Sequence, residues 1–233
     1  MQQYMVTTKD INGAKIALTK EDQHHLYNVM RRQDNDEIIV CDYQTKIKYL
    51  CKIKNKEIII NRQLKINNEL KYRLKLVVSL VKNDKLELIM QKASELGVQQ
   101  LVIVPTRYSN VKLDSAKFEK KLARWHKIVK EACEQSLRNT LMEITFVDSI
   151  KDIGNDDYQK IVAYEKNDNK LTLNDLTYHR NTLVFIGPEG GFSPEEIAFL
   201  EARGFTNVTL GQRILRCETA AIVSCGIIGN LMV

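Results

Sequence analysis

TLVFIGPEGGFSPEEIA (182–198) is the stretch that most clearly indicates the fold. It opens with an apolar run typical of a buried strand, and the run ends at Gly187. A loop rich in glycine follows. Ser193, Pro194 and Glu196 then supply an N-cap, a proline at the first helical position and a capping box, which predict a new helix. Strand, loop and helix in this order are the repeating unit of an α/β fold.

The same alternation extends back to residue 72. Further strands are predicted at YRLKLVVSLV (72–81), QQLVIVP (99–105), ITFVD (144–148), KIVAY (160–164) and TNVTL (206–210). One helix is predicted from Asn83, with an apolar stripe of Leu86, Ile89, Ala93 and Leu96 and an end at Gly97, and another from about Ser115 to Leu137. Residues 71–233 therefore predict an α/β domain with a mostly parallel sheet.

Residues 1–70 have a different, β-rich texture. Strands are predicted at EIIVCDY (37–43), YLCKI (49–53) and EIIINRQ (57–63), with NNELK (67–71) as a link. One helix interrupts them, capped by Thr19, with an apolar face of His25, Leu26, Val29 and Met30. A small barrel or curled sheet is the expected architecture of this first domain.

Composition excludes several classes of protein. No apolar run approaches the roughly 20 residues that span a bilayer, and the N-terminus lacks a signal-peptide pattern, so we expect a cytoplasmic protein. Five scattered cysteines predict reduced, buried thiols, and neither cysteines nor histidines show a metal-binding spacing, so no metal is expected. Dinucleotide-binding and P-loop motifs are missing. The net charge of +6 is compatible with a polyanionic partner, and the first 71 residues are the more basic part per residue.

Two glycine-containing loops are the candidate ligand site. The first, Gly187 to Gly191, lies at the carboxyl end of a strand, where open α/β sheets bind ligands, and glycine lets a ligand approach the main chain closely. The second lies in TLGQRILRCETAAIVSCGIIGNLM (209–232), where Gly211, Arg213 and Arg216 precede a helix. A sharp turn and solvated surface arginines are the competing interpretations. The apolar end of that helix, rich in small residues, is suited to packing against a second subunit.

IGPEGGFSPEEI (186–197) and LGQRILRCETAA (210–221) together resemble the paired C-terminal motifs of the 16S ribosomal RNA (uracil-N3)-methyltransferase family, in the SPOUT class of knotted methyltransferases. DQHHLYNVMRRQDNDEI (22–38), KNDKLELIMQKASELGV (82–98) and RWHKIVKEACEQSLR (124–138) extend the resemblance over nearly the whole chain. Two departures stand out. Cys217 occupies a position where the family usually has threonine, and SLRNTLMEI (136–144) lacks an expected glycine and proline.

The resemblance implies a PUA-like RNA-binding β-barrel domain followed by a SPOUT-type α/β domain with a trefoil knot, which usually dimerises through the knot. It implies S-adenosylmethionine as cofactor, held by Ile186, Gly187, Pro188, Glu189, Gly190, Gly191, Leu210, Gly211, Ile214, Leu215 and Arg216. The implied reaction is methylation of N3 of a uridine in the decoding region of small-subunit ribosomal RNA. Free RNA and the assembled subunit are both open as the substrate.

Chemistry then assigns roles to charged residues. Uracil N3 carries a proton that must be removed, and negative charge develops on O2 and O4. Arg216 is the first candidate for stabilising that charge, and Glu189 or Glu218 for accepting the proton, although Glu218 could equally cap its helix. RNA contacts are predicted at His24, Arg31, Arg32, Lys82, Arg107 and Arg138. Two other functions stay open: a non-catalytic RNA-binding or ribosome-assembly protein, and a methyltransferase of the same fold acting on another base or on ribose.

Overall fold

The computed structural model describes residues 1–154, 157–166 and 171–232. The chain divides into two compact units. The first consists of residues 1–69 and 133–141, and the second consists of the described residues of 70–132 and 142–233. The segment 133–141 therefore belongs to the N-terminal unit in space, although a long stretch of sequence separates it from residue 69.

The first unit is built on one six-stranded sheet. Its strands are β1 (Gln3–Val6), β2 (Ile11–Asn12), β3 (Lys15–Ile16), β4 (Glu37–Asp42), β5 (Ile47–Lys54) and β6 (Glu57–Leu64). Their order across the sheet is β1-β4-β5-β6-β3-β2; β1 and β4 are parallel and the other pairs are antiparallel. The core of this unit contains Leu26, Ile38 and Val40, all fully buried. The three longer predicted strands are confirmed.

The helix predicted after Thr19 is shorter and less regular than expected. The Thr19 hydroxyl accepts from the Asp22 N–H at 3.1 Å and caps α1 (Lys20–His24), which passes directly into a π-helical turn at His25–Val29. Leu26 is buried as predicted, but Val29 and Met30 are 58% and 37% exposed, so the prediction of a four-residue apolar face is wrong. The wider π-helical turn changes the helical periodicity on which that prediction depended.

The segment 133–141 makes its turn without the glycine whose absence stands out in the sequence. Leu137 adopts a left-handed conformation, with φ of 55°. Its carbonyl oxygen accepts hydrogen bonds from Lys48 Nζ and Asn68 Nδ2. A leucine therefore takes the backbone conformation that glycine adopts most easily, and side-chain donors from the first unit hold it there.

The second unit contains a six-stranded sheet in which every described pairing is parallel. Its strands are β7 (Leu74–Ser79), β8 (Gln100–Val104), β9 (Glu143–Phe146), β10 (Gln159–Ala163), β11 (Thr182–Ile186) and β12 (Phe205–Val208). The helices of the chain from here on are α2 (Asn83–Glu95), α3 (Ser115–Gln135), α4 (Pro194–Ala202) and α5 (Cys217–Leu231). Every strand predicted after residue 72 is confirmed, and so is the parallel sheet.

The order of these strands, β12-β10-β11-β7-β8-β9, positions the site. Because β12, β10, β11 and β7 are adjacent and parallel, the loops that follow them emerge side by side at one edge of the sheet. The predicted capping box is also present: the Ser193 hydroxyl accepts from Glu196 N–H, and Glu196 Oε2 accepts from Ser193 N–H at 2.9 Å. This box fixes the end of the loop after β11 at the start of α4.

All five cysteines are buried and none forms a disulfide, as predicted. None of the helices in the described ranges combines the length and apolar character that crossing a bilayer requires.

Candidate active site

A pocket of about 630 Å³, part of it open to solvent, lies at the carboxyl ends of β10, β11 and β12. The loop after each of these strands contributes to its wall, and α5 closes one side with Cys217 and Ala220. Thr209, directly after β12, forms a parallel bridge with Thr172, and its N–H donates to Leu171 O at 2.7 Å. Pairing with a segment that precedes β11 thus fixes the start of the loop after β12.

The two predicted glycine loops meet in this pocket. Nine of the eleven residues predicted to hold a cofactor line it: Ile186, Gly187, Pro188, Glu189, Gly191, Leu210, Gly211, Ile214 and Leu215. Gly190 and Arg216 do not line it. A Cβ atom on Gly190 would lie 2.9 Å from Tyr108 Cβ, so Gly190 faces the loop after β8 and needs to be small for that contact.

Gly191 and Gly211 carry the conformational demands of the two loops. Both have positive φ, 69° at Gly191 and 109° at Gly211, a region that other residues adopt with strain. A Cβ on Gly191 would also approach Glu165 Oε1 to 2.8 Å. The lack of a side chain at Gly191 therefore keeps open the part of the pocket wall shared by the loops after β10 and β11.

Several lining residues were not predicted from the sequence. Three of them, Ala163, Tyr164 and Glu165, come from the end of β10 and the residues after it; the others are Phe192, Thr209, Cys217 and Ala220. Arg213, from the second predicted loop, also lines the pocket. The rule that ligands bind at the carboxyl ends of parallel strands could have found the first group, because KIVAY was already predicted as a strand. Glu165 places an exposed carboxylate in the pocket wall.

Lys85, in the first turn of α2, contacts two of the predicted catalytic residues. Its Nζ donates to Glu189 Oε1 at 2.7 Å and lies 3.7 Å from Glu218 Oε2. Arg216 is close enough for its charge to act on Lys85. Lys85 was not predicted to take part in catalysis. It nevertheless lies close to all three residues that were: Glu189, Glu218 and Arg216.

The electrostatics of this cluster follow from its contacts. The hydrogen bond to Glu189 raises the pKa of Lys85. Burial alone would raise the pKa of Glu189, but the hydrogen bond and charge of Lys85, a backbone hydrogen bond and the charge of Lys82 together outweigh burial, and the pKa lies below its usual value. Burial, with the charges of Glu189 and Glu218, raises the pKa of Cys217 to about 12. Cys217 is therefore a neutral thiol in the pocket wall and not a nucleophile.

Comparison with known proteins identifies the family to which this chain belongs. Residues 68–229 match the RNA methyltransferase domain family, and residues 18–61 match the RNA methyltransferase PUA domain. The chain is 34% identical over 240 residues to ribosomal RNA small subunit methyltransferase E of Bacillus subtilis, covering 95% of this chain and 93% of the relative. The chain belongs to the RNA methyltransferase family. The protein of the same name from Mesomycoplasma hyopneumoniae is 35% identical over 227 residues, with 95% and 96% covered.

Solved structures agree with this assignment to the RNA methyltransferases. Ribosomal RNA small subunit methyltransferase E of Neisseria gonorrhoeae, bound to S-adenosylmethionine, superposes with a TM-score of 0.84 at 28% identity, covering 99% of this chain and 98% of that one. A methyltransferase of Legionella pneumophila with bound S-adenosylmethionine also gives 0.84 at 28%, covering 97% and 96%. The predicted family and fold class, a SPOUT-type α/β methyltransferase domain after a PUA-like domain, are confirmed.

Most residues predicted to contact RNA lie on the surface of this methyltransferase. His24 and Arg31 are exposed, and Arg32 is half-buried with Nη1 3.8 Å from Asp36. Lys82 is exposed at the N-cap of α2. Arg107 is exposed, and its Nη1 lies 3.2 Å from Glu195 Oε2. These five are available to a polyanion.

The structure contradicts the prediction that Arg138 contacts RNA. It is 2% exposed, and its guanidinium binds Glu69 through Nη2 at 2.6 Å and Nε at 3.2 Å. Glu69 in turn accepts from the backbone N–H groups of Asn139 and Thr140. The Arg138 side chain, which the sequence predicted to contact RNA, instead forms a buried ion pair within the first unit. Arg138 is therefore not exposed for a contact with RNA in this structure.

Proposed function

We propose that this methyltransferase transfers a methyl group from S-adenosylmethionine to N3 of one uridine in the decoding region of small-subunit ribosomal RNA. The proposal depends above all on two glycine loops, after β11 and β12, that converge in one pocket. Family membership and relatives named for the small ribosomal subunit support it. We assign residues 71–233 to methyl transfer and residues 1–70 to RNA binding, in the cytoplasm.

The pocket fits S-adenosylmethionine, which two relatives bind. Gly191 lets a flat ligand approach the main chain, where a Cβ would fill the space toward Glu165. Ile214 is 86% exposed and supplies an apolar surface for an adenine ring or the methionine chain. Glu165 complements a positively charged ligand. When bound, the cofactor supplies a methyl group on a cationic sulfur, and that sulfur keeps the bonding pair after transfer.

The residues around Lys85 would then serve the uracil. The proton on N3 must leave as the N3–carbon bond forms, and Glu218 or Glu189 would accept it directly or through a water molecule. Arg216, exposed at the N-cap of α5, would stabilise the negative charge on O2 and O4. Arg216 makes no side-chain capping hydrogen bond to α5, and Glu218 lies in the first turn of that helix, where a negative charge also favours the helix N-terminus.

The RNA must present an unpaired or flipped uridine, because N3 is hidden in a base-paired helix. His24, Arg31, Arg32, Lys82 and Arg107 would contact phosphates and fix the register of the RNA. Such contacts are individually replaceable, so we expect loss of affinity to accumulate over several substitutions and to depend on salt concentration.

We also propose that the protein is a homodimer. Val223, Ile227 and Leu231 lie at helical spacing on α5. Val223 and Ile227 are partly exposed, and Leu231 is 42% exposed. An apolar stripe on a helix favours a second copy of the same chain, as the knotted methyltransferases of this class usually provide.

The test uses ribosomal RNA and small subunits from a strain that lacks the gene. Each is incubated with the purified protein and methyl-labelled S-adenosylmethionine, then digested and mapped by mass spectrometry. We expect one methyl group on N3 of a decoding-region uridine. A Gly191→Ala protein, impaired in the pocket, is the control. A methyl group on another base or on ribose would refute the proposed position. If the protein shows no turnover and calorimetry shows no heat of S-adenosylmethionine binding, a non-catalytic RNA-binding function would be favoured.

A further inference from the structure

Lys85 lies where the loop after β11 and the start of α5 meet. Its ammonium contacts Glu189 at 2.7 Å and Glu218 at 3.7 Å, and Arg216 is the second cation nearby. Lys82, at the N-cap of α2, also acts on Glu189. The neutral Cys217 thiol completes the set of titratable groups. Two carboxylates are thus held close to one ammonium beside the pocket.

The two carboxylates depend on Lys85 to different degrees. Glu189 Oε1 accepts the short hydrogen bond from Lys85, and the Glu189 side chain is 31% exposed. The Glu218 side chain is more buried and only 13% exposed. Its Oε2 atom is shielded from solvent and has no hydrogen-bond partner among the described residues. A shielded carboxylate without hydrogen bonds is costly unless a cation is near. The ammonium at 3.7 Å is that cation.

We infer that Lys85 is a positioning residue for methyl transfer, which holds Glu189 in the cofactor loop by a hydrogen bond and places its ammonium beside Glu218, the proposed acceptor of the N3 proton. The inference rests on the proposed function and deepens it. Glu189 is already bonded to Lys85 and is the poorer acceptor. Glu218 makes no hydrogen bond through Oε2, but because that atom is shielded from solvent, the proton would have to go to the other carboxylate oxygen. Lys85 touches neither reacting atom in this assignment; it acts through the carboxylates.

Lys85→Met tests the role because it keeps the length of the side chain and removes the charge. Without the ammonium, Glu189 and Glu218 repel each other, and Glu189 loses the hydrogen bond that lowers its pKa, so this pKa rises. Because the base must be deprotonated, the acid limb of the kcat/KM pH profile moves to higher pH by a similar amount. Titration of carboxyl ¹³C signals reads the same shift without any turnover, so it reports on Lys85 even if the methylated position is another one.

Three further variants make the result specific. Lys85→Arg restores the cation and most of the profile. Adding Glu189→Gln to Lys85→Met removes the repulsion and returns the acid limb part of the way. Lys92→Met, which removes the Lys92–Glu95 pair at 2.9 Å near the other end of the same helix, leaves the profile in place. A Lys85→Met protein with unshifted carboxyl titrations, or with a rate lowered equally at every pH, would overturn the inference.

Discussion

The Glu69–Arg138 ion pair predicts a large loss of stability from a single substitution. Glu69 Oε1 accepts from Arg138 Nε and from the backbone N–H groups of Asn139 and Thr140, and Oε2 accepts from Arg138 Nη2 at 2.6 Å. Arg138 and Glu69 side chains are only 2% and 10% exposed. Removing one partner of a buried pair costs about 3–5 kcal/mol. For Glu69→Gln we expect about 3 kcal/mol, because the amide oxygen can still accept one backbone hydrogen bond.

Urea denaturation of the whole protein at pH 7 measures this loss. The matched control is Glu57→Gln, which removes a pair of similar length with Lys15, at 2.8 Å, whose side chains are 51% and 61% exposed. An exposed pair contributes at most about 1 kcal/mol, so the control should barely change the free energy of unfolding. If Glu69→Gln behaves like Glu57→Gln, the stability argument fails. If Arg138→Met then weakens RNA binding without unfolding the protein, the assignment of Arg138 as structural fails too.

The pH dependence of stability provides a second test of the Glu69–Arg138 pair. Burial raises the pKa of Glu69, but hydrogen bonding and charge from Arg138 outweigh burial, and the folded-state pKa lies below its ordinary value. A depressed folded pKa contributes stability that is complete above the unfolded pKa and disappears as pH falls through the folded value. The stability gap between the native protein and Glu69→Gln should therefore be largest near neutrality and close below about pH 4.

Three shorter predictions concern the site and the proposed dimer. Gly191→Ala should weaken S-adenosylmethionine binding at least about tenfold in calorimetry, because its positive φ strains any residue with a Cβ in the pocket wall, whereas Gly204→Ala, with φ of 83° but outside the pocket lining, should not. Arg216→Ala should lower turnover by about 10²-fold while cofactor affinity stays measurable, and full activity would contradict its role. Leu231→Glu should convert the dimer to a monomer in light scattering; a monomeric native protein would refute the interface.

Local signals in the sequence were sufficient for the elements of the second unit. The apolar run before Gly187 and the capping box at Ser193 each depend on residues within one turn or strand, and both appear as expected. The same local reasoning failed at Val29 and Met30, where a π-helical turn shifts the face of the helix, and no residue type announces such a turn. A knotted path has no periodicity either, and only the resemblance implied it.

Arg138 shows a different limit. As a lone arginine after a helix, it is chemically suited both to a phosphate and to a carboxylate, and the sequence gives no reason to choose. Its partner Glu69 precedes it by 69 residues, in the segment that was predicted only as a link. The choice between RNA contact and ion pair is made by tertiary packing, which brings 133–141 into the first unit. Charged residues near loops are therefore the least predictable part of this site.

The order of strands explains why Lys85 could not be found by spacing. Lys85 and Glu189 are 104 residues apart, yet β7 and β11 are hydrogen-bonded neighbours with Val78 opposite Ile186. Parallel neighbours end at the same edge, so the first turn of α2 and the loop after β11 must lie side by side once that pairing forms. The ion pair is thus a consequence of sheet order, which periodicity does not encode. The same pairing makes Lys85 part of the pocket's support, since any shift of β7 against β11 would move the ammonium away from Glu189.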